Sequence, residues 1–517
     1  MAPIARTGTI VVLLAAVVGA FYTTRLQFSP IYVMHDELQF ALQAQTIAST
    51  GRDLHGRLLP VYFTEPEFPA GRDPVAIYAT ALVLKALPLS EGSVRLATAW
   101  VGVLNVVLMF LVGRKVFGSS AMGLVAALLL AMTPAHFIRS RLILSPLYSI
   151  PFILAWLLWL ARYVERPARR TLAVSVAWLS LGLYTYLACV VMVPVYLILT
   201  AIAVARQPVS NWRWPVAAAL LIPLVPMGIW FATHPERYGQ IVEAYRLAGL
   251  EGGQGQTPSL GAMTDVIKGR MGLYWSAFDP AFLFVSGDTS LINSTRRIGF
   301  LPMAFAVLLP VGVYRLVRQG GILGAVMIAG LLIAPLASVV SGAIEMNRIM
   351  FVIPFAALVA TAGAQAILVQ GQTAWRVIGL ILLITVPVQF SSFYADYMGS
   401  YRTESSVWFG GNLRDALNDA LGRIGAESHP TYLSRDIPHA DRYWRFYALA
   451  AGRADLVEQF ELYDPSTMDM ADLDPDSLLV CGTQGDCAPQ AQSAMWTRVS
   501  VASEPDGTES FAVYERR

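Results

Sequence analysis

The chain has 517 residues, 56% of them hydrophobic and only 14% charged, with a formal net charge of +2. Soluble domains average about 45–50% apolar and about 25% charged. This composition excludes a string of ordinary soluble domains. The sequence has no Lys/Arg run and no aromatic-basic interleaving, which argues against nucleic acid as a partner.

The apolar excess comes in uncharged blocks. In chain order they are Thr7–Thr24, Leu96–Gly113, Val116–Ile138, Ile143–Ala161, Thr171–Ala205, Trp214–Thr233, Ile298–Tyr314, Gln319–Ile344, Ile349–Trp375 and Val377–Ala395. A bilayer crossing needs roughly 20 mostly apolar residues. Thr171–Ala205 is too long for one crossing and reads as a hairpin turning at Tyr186–Ala188. The expectation is an all-α polytopic membrane protein with about eleven transmembrane helices.

Segment Pro74–Leu89, interrupted by Lys85, is expected to lie at the interface. With the N-terminus cytoplasmic, the inner loops then hold Arg6, Arg114, Lys115, the Arg162–Arg170 cluster, Arg206, Arg213, Arg315, Arg318 and Arg376. Only Glu165 opposes them, a strong positive-inside pattern. If Pro74–Leu89 crossed instead, every later loop would change sides. The outer face therefore carries the loops 26–94 and 234–297, and all the suspicious polar clusters fall there.

After the membrane part, 1–395, composition turns ordinary. Residues 396–517 are long enough to bury a core and read as a small exoplasmic α/β domain. Helix-like stretches are Ser406–Ile424 and Asp441–Ala451, and strand-like runs are Thr431–Ser434 and Ser477–Cys481. A hairpin is expected from Trp496–Ala502 and Ser510–Tyr514 through Asp506-Gly507. Cys481 and Cys487 are close enough in sequence to pair in an oxidising compartment, though two cysteines alone leave the reduced state open. Cys189 lies within a span and reads as a small apolar residue. Metal-ligand spacing of His and Cys is not evident, and a divalent ion at the Asp36–Glu37 pair stays open.

The first outer loop is the most informative stretch. Leu38–Ile47 has the pattern of an amphipathic surface helix, with Asp36 and Glu37 at its N-terminus. A helix dipole favours negative charge there, so capping alone accounts for both carboxylates. The alternative is a carboxylate at the membrane boundary that accepts a proton from an acceptor hydroxyl. Gly51, Gly56 and Pro60 then enforce turns.

His35-Asp36-Glu37, the Ser49-Thr-Gly-Arg-Asp-Leu-His-Gly56 turn and Leu59-Pro60 resemble the first exoplasmic loop of GT-C type glycosyltransferases. The nearest subgroup is the bacterial relatives of protein O-mannosyltransferases and aminoarabinose lipid A transferases. The resemblance continues in order through Asp73-Pro-Val-Ala-Ile-Tyr78, Ser140-Arg141, Phe278–Asp288 and Glu345-Met-Asn-Arg348, and covers roughly the first 395 residues.

It implies transfer of a sugar, with inversion, from a polyprenyl phosphate to a hydroxyl. Polyprenyl phosphate mannose and arabinose both fit, and the acceptor is a protein, a lipid or an envelope glycan. By resemblance Asp36 matches the catalytic carboxylate, with Glu37 a helper or acceptor contact, although the reverse assignment stays open. Arg72, Arg141 and Arg348 become the expected donor-phosphate ligands, against the bland reading that arginines at span ends snorkel to headgroups. Tyr78, Asp288, Arg296 and Glu345 are the further expected donor or acceptor contacts. The implied location is the plasma (inner) membrane. The rival class is a lipid or sugar-lipid transporter or flippase. Against it stand the lack of ionisable residues deep in the spans and the lack of an inverted repeat.

Overall fold

The computed structural model describes residues 2–65, 68–236, 260–369, 372–424, 430–485, 487 and 495–516. Most of the second outer loop, 237–259, and Glu67 of the first lie outside the described residues.

Seven described helices are long and apolar enough to cross a membrane. They are Glu91–Phe117, Ser145–Glu165, Cys189–Arg206, Arg213–Thr233, Ile322–Ser341, Val352–Val369 and Thr373–Met398. Shorter apolar helices cover Thr7–Thr23, Pro74–Leu84 and Ser120–Ala131. The remaining blocks expected to cross form helices at Arg169–Gly182 and Phe305–Gln319, both shorter than a full span. Proline explains one break. The block expected to run to Ile138 breaks at Met132–Thr133, and a separate helix starts at Pro134. Proline lacks a donor and restricts the residue before it. The expected hairpin is there, with Leu183–Ala188 turning between Arg169–Gly182 and Cys189–Arg206.

The chain divides into two compact units. One comprises Met1–Thr24, Leu59–Ala76 and Ala97–Tyr394. Its central helix, Val352–Val369, is buried without a break from Val352 to Ala364. Gly312 and Gly363 let that helix touch Phe305–Gln319 backbone to backbone. A Cβ on Gly312 would meet the Val359 carbonyl, and one on Gly363 the Leu308 carbonyl. Small residues permit such close approach between membrane helices. Arg213–Thr233 is the opposite case, apolar yet burying only Trp230 in its two helical turns-regions. An apolar surface of that kind is at home in lipid.

The other unit comprises Arg25–Leu58, Ile77–Leu96 and Ala395–Arg517. Its sheet has the order β4-β3-β5-β7-β6, built from β3 (Thr431–Ser434), β4 (Glu461–Tyr463), β5 (Leu478–Gly482), β6 (Trp496–Ser503) and β7 (Glu509–Arg516). β3 runs parallel to both β4 and β5, and β7 pairs antiparallel with β5 and β6. Asp506-Gly507 turns the expected β6–β7 hairpin, with Gly507 at φ +88°. The core holds Tyr432, Tyr463, Leu479, Trp496 and Tyr514 around a disulfide between Cys481 and Cys487.

In the same unit the helix His35–Thr50 forms over the expected stretch, but it is not one-sided. Every residue from Glu37 to Ala44 is buried, and the helix packs on Ala440–Ala450. Tyr443 donates its hydroxyl to the Val33 carbonyl at 3.1 Å, and Tyr32 donates to Glu504 at 3.2 Å. These bonds tie the loop before the helix to the tail.

Candidate functional site

Neighbouring residues on a helix point about 100° apart. Asp36 and Glu37, the second and third residues of His35–Thr50, therefore face different surroundings. Glu37 is wholly buried. Arg95 grips it with Nε on Oε1 at 2.9 Å and Nη2 on Oε2 at 2.7 Å. The other guanidinium donors go to the carbonyls of Leu26 (3.0 Å), Pro30 (2.9 Å) and Tyr32 (2.6 Å). All five donors of one arginine are thus satisfied, in the paired geometry guanidinium and carboxylate favour. Glu37 also accepts from the Met34 amide at 3.3 Å, so it does cap its helix.

Asp36 stands apart from that network. Its side chain is about a third exposed and lies 3.9 Å from His35, whose ring stacks on His439 at 5.0 Å. Both oxygens of Glu37 are engaged by Arg95, so a cation bridging the two carboxylates would compete with that guanidinium. The following turn is closed by Asp53, which accepts from the amides of His55 (3.0 Å) and Arg57 (2.8 Å). Gly51 and Gly56 take φ of +71° and +78° in it, where a side chain would be strained. Tyr78 is partly buried. Desolvation, then the Asp53 charge, pushes its phenol up to about 12.

In the membrane-helix unit, the residues expected to matter fall into three groups. The first is Arg72 with Asp73, after strand β2 (Phe68–Arg72), which pairs with β1 (Phe63–Glu65). Asp73 accepts a hydrogen bond from Ser145, but desolvation outweighs that bond and the Arg72 charge, pushing its carboxyl up to about 7. Tyr62, whose ring lies 4.9 Å from that of Trp230, is close enough to Asp73 for its phenol to be raised by burial and then by that charge.

In the second group, buried Arg139 donates to Asn293, and Asn293 donates to Asp288 at 3.0 Å. Asp288 also accepts from the amides of Ser290 and Met346, both at 2.8 Å. It thereby joins the expected Asp288 loop to the expected Glu345–Arg348 segment. Arg348 lies 3.5 Å from Glu345 and donates to Ser341 at 3.0 Å. Arg296 sits at φ +59° and donates back to the Thr289 carbonyl of its own loop.

The third group is Arg141 alone among the expected residues. It is buried and donates to the carbonyls of Tyr22 and Thr24, both at 2.9 Å. These lie at the C-terminal end of the helix Ala2–Thr23, where carbonyls lack intrahelical partners. The buried histidine nearby, His136, is held between the Tyr22 hydroxyl (3.0 Å) and Asn105 (3.3 Å).

Sequence reasoning passed over Arg95, Arg139 and Asp73 as chemistry. Arg95 directly follows the outer loop 26–94, and Asp73 is one letter of a motif. Only an acidic residue at an N-cap region and an arginine at a span end, expected on the same outer face, hinted at the Glu37–Arg95 pair.

Asp73 carries a pH prediction. Its folded value, about 7, is above the unfolded 3.8, so the folded chain holds the proton more tightly. Stability is greatest below the unfolded value and is lost as pH rises from about 4 to about 7. Asp73→Asn, which mimics the protonated acid, should melt higher than wild type at pH 8 and at the same temperature near pH 4. A difference that does not change with pH would remove this account.

A family model described as dolichyl-phosphate-mannose-protein mannosyltransferase matches residues 69–230. No curated protein matches the chain. Among solved structures, ArnT from Cupriavidus metallidurans in the apo state superposes with a TM-score of 0.59 at 14% identity, covering 98% of both chains. An oligosaccharyltransferase from Archaeoglobus fulgidus, crystallised with Zn and sulfate, gives a TM-score of 0.46 at 12% identity over 97% of this chain and 73% of its own. The mannosyltransferase model thus covers the end of the first outer loop and the helices that follow it, and the chain shares the fold of ArnT along nearly its whole length.

Proposed function

We propose that this protein transfers a monosaccharide, with inversion, from a polyprenyl-phosphate donor to a hydroxyl of a protein, lipid or envelope glycan on the exoplasmic face of the plasma membrane. The observation that carries the reading is the contrast between the two carboxylates. Glu37 is buried and held by Arg95, while Asp36 next to it is accessible. A phosphate leaves as an anion and needs little acid assistance, so one accessible carboxylate base together with cations suffices.

In this reading Asp36 takes the proton from the acceptor hydroxyl. Glu37 is a positioning residue that fixes the start of the helix. Arg72 and Arg348 bind donor phosphate, and Tyr78, Asp288, Arg296 and Glu345 border donor or acceptor. Arg141 holds the end of the first helix. The mannosyltransferase family description supports a lipid-phosphate donor. The proposed topology keeps the N-terminus cytoplasmic, about eleven crossings and an exoplasmic tail, on the positive-inside pattern.

The test is label transfer by the full chain reconstituted in lipid vesicles. Radiolabelled polyprenyl phosphate mannose and arabinose are compared with the corresponding nucleotide sugars. Label should reach acceptor only from a lipid-linked donor, with inverted anomeric configuration. Transfer from nucleotide sugars alone, or movement of the lipid-linked sugar across the bilayer without transfer, overturns the proposal.

A further inference from the structure

Two imidazoles far apart in sequence meet beside Asp36, within the unit built from residues 25–58, 77–96 and 395–517. His35 opens the helix His35–Thr50, and His439 lies immediately before the helix Ala440–Ala450 in the tail. Their rings stack with centroids 5.0 Å apart and planes 13° from parallel. His439 holds its ring there from a backbone φ of +57°, in the left-handed region. Histidine, asparagine and aspartate adopt that region more readily than other side chains. Glycine would fit it without strain but would bring no ring.

The tail helix holds this stretch at a second point. The Tyr443 amide donates to the His439 carbonyl at 3.3 Å, which closes the first turn and brings residues 439 and 443 to one side of it. Tyr443 donates its hydroxyl to the Val33 carbonyl. The tail therefore touches Val33 and His35, on either side of Met34, the residue before the helix His35–Thr50. On the other side of Asp36, Glu37 is gripped by Arg95. Asp36 thus sits between two held neighbours, with its own side chain about a third exposed. The His35 Nε2 is 3.9 Å from the Asp36 Oδ1. That separation is longer than a hydrogen bond. At this distance the imidazole acts as a wall that narrows the directions open to the carboxylate.

We infer that His439 is a positioning residue for Asp36. Its ring holds the ring of His35, and His35 keeps the carboxylate in the directions from which it meets an acceptor hydroxyl. The inference rests on the reading of Asp36 as the base, and it extends that site to a residue of the tail. A reacting group displaced by about 1 Å can lose roughly a hundredfold in rate. Removing one restraint while the helix itself stays in place costs less, about tenfold. The loss falls on kcat, because the donor phosphate is assigned to other residues.

The test is a double-mutant cycle on the full chain in lipid vesicles, reading kcat and donor KM for the lipid-linked sugar, with a melting curve for each variant. His439→Gly and His439→Asn both suit the left-handed backbone and both remove the ring. Each should lower kcat about tenfold, leave KM within about twofold and melt as wild type does. His35→Ala, on the exposed side of a helix start, should give the same loss and add nothing to that of His439→Gly. In the Asp36→Asn background, His439→Gly should change the remaining rate less than about twofold, because no base is left to orient. Wild-type kcat in the His439 variants overturns the inference, and so does a tenfold loss that persists without Asp36. A kcat that falls only in step with melting temperature overturns it too, since the ring is then structural. Should the His439 variants not fold, His35→Ala decides alone, and wild-type kcat in it overturns the inference. If Asp36→Asn by itself transfers at a third of the wild-type rate or better, it is the base assignment that has failed, and this inference falls with it.

Discussion

Asp36→Asn should lower the rate of sugar transfer by about a hundredfold to ten-thousandfold, the usual contribution of a general base. Asn keeps the shape and the helix position but removes the proton acceptor. Glu37 cannot substitute, because Arg95 and the Met34 amide occupy its oxygens and its side chain is buried. Stability should stay within about 0.5 kcal/mol, since Asp36 is partly exposed and outside the Arg95 network. The measurement is initial rate at saturating lipid-linked donor, with a melting curve beside it. A variant that folds like wild type and transfers at a third of its rate or better would show that Asp36 is not the base.

Arg95→Ala should be the most damaging single change to the fold. It leaves the Glu37 carboxylate buried without its cation and frees the carbonyls of Leu26, Pro30 and Tyr32. Breaking a buried pair by removing one partner costs about 3–5 kcal/mol. Arg95→Lys should recover little, because an ammonium has three donors on one atom and cannot span five acceptor positions. Replacing both partners, Arg95→Met with Glu37→Leu, should be less destabilising than Arg95→Ala alone, because no charge is then stranded. Thermal unfolding of the full chain in detergent checks all three. If Arg95→Ala melts with the wild type, the pair does not hold this unit together. Activity separates the two carboxylates further. Glu37→Gln should lose activity in step with stability, whereas Asp36→Asn should lose activity alone.

The membrane character of the chain was legible because hydrocarbon thickness sets a minimum run of apolar residues, and those runs can be counted. Strand positions in the tail were legible for a related reason. β3 was expected at Thr431–Ser434 and lies there, and the Asp506-Gly507 turn places the β6–β7 hairpin. Helix ends were less legible. Thr133-Pro134 breaks a block that hydropathy alone reads as continuous, because a summed hydropathy is blind to a missing amide donor. The helix from His35 was expected to lie on a membrane, yet it is packed by protein from Glu37 to Ala44. Its pattern specifies apolar positions and does not say what covers the remaining ones.

The sequence by itself determined that this is a polytopic membrane chain with a small α/β tail. It also singled out the Asp36-Glu37 pair, because local composition, turn residues and adjacent charges are properties of short segments. Only the tertiary structure decided which carboxylate is held and which is accessible. That difference depends on Arg95, 58 residues further along the chain, whose five acceptors all lie between Leu26 and Glu37. The same holds for Asp288, whose partners Asn293 and Met346 meet only after the helices have packed. Desolvation and ion pairing act through space, and their partners are set by folding rather than by neighbours in sequence.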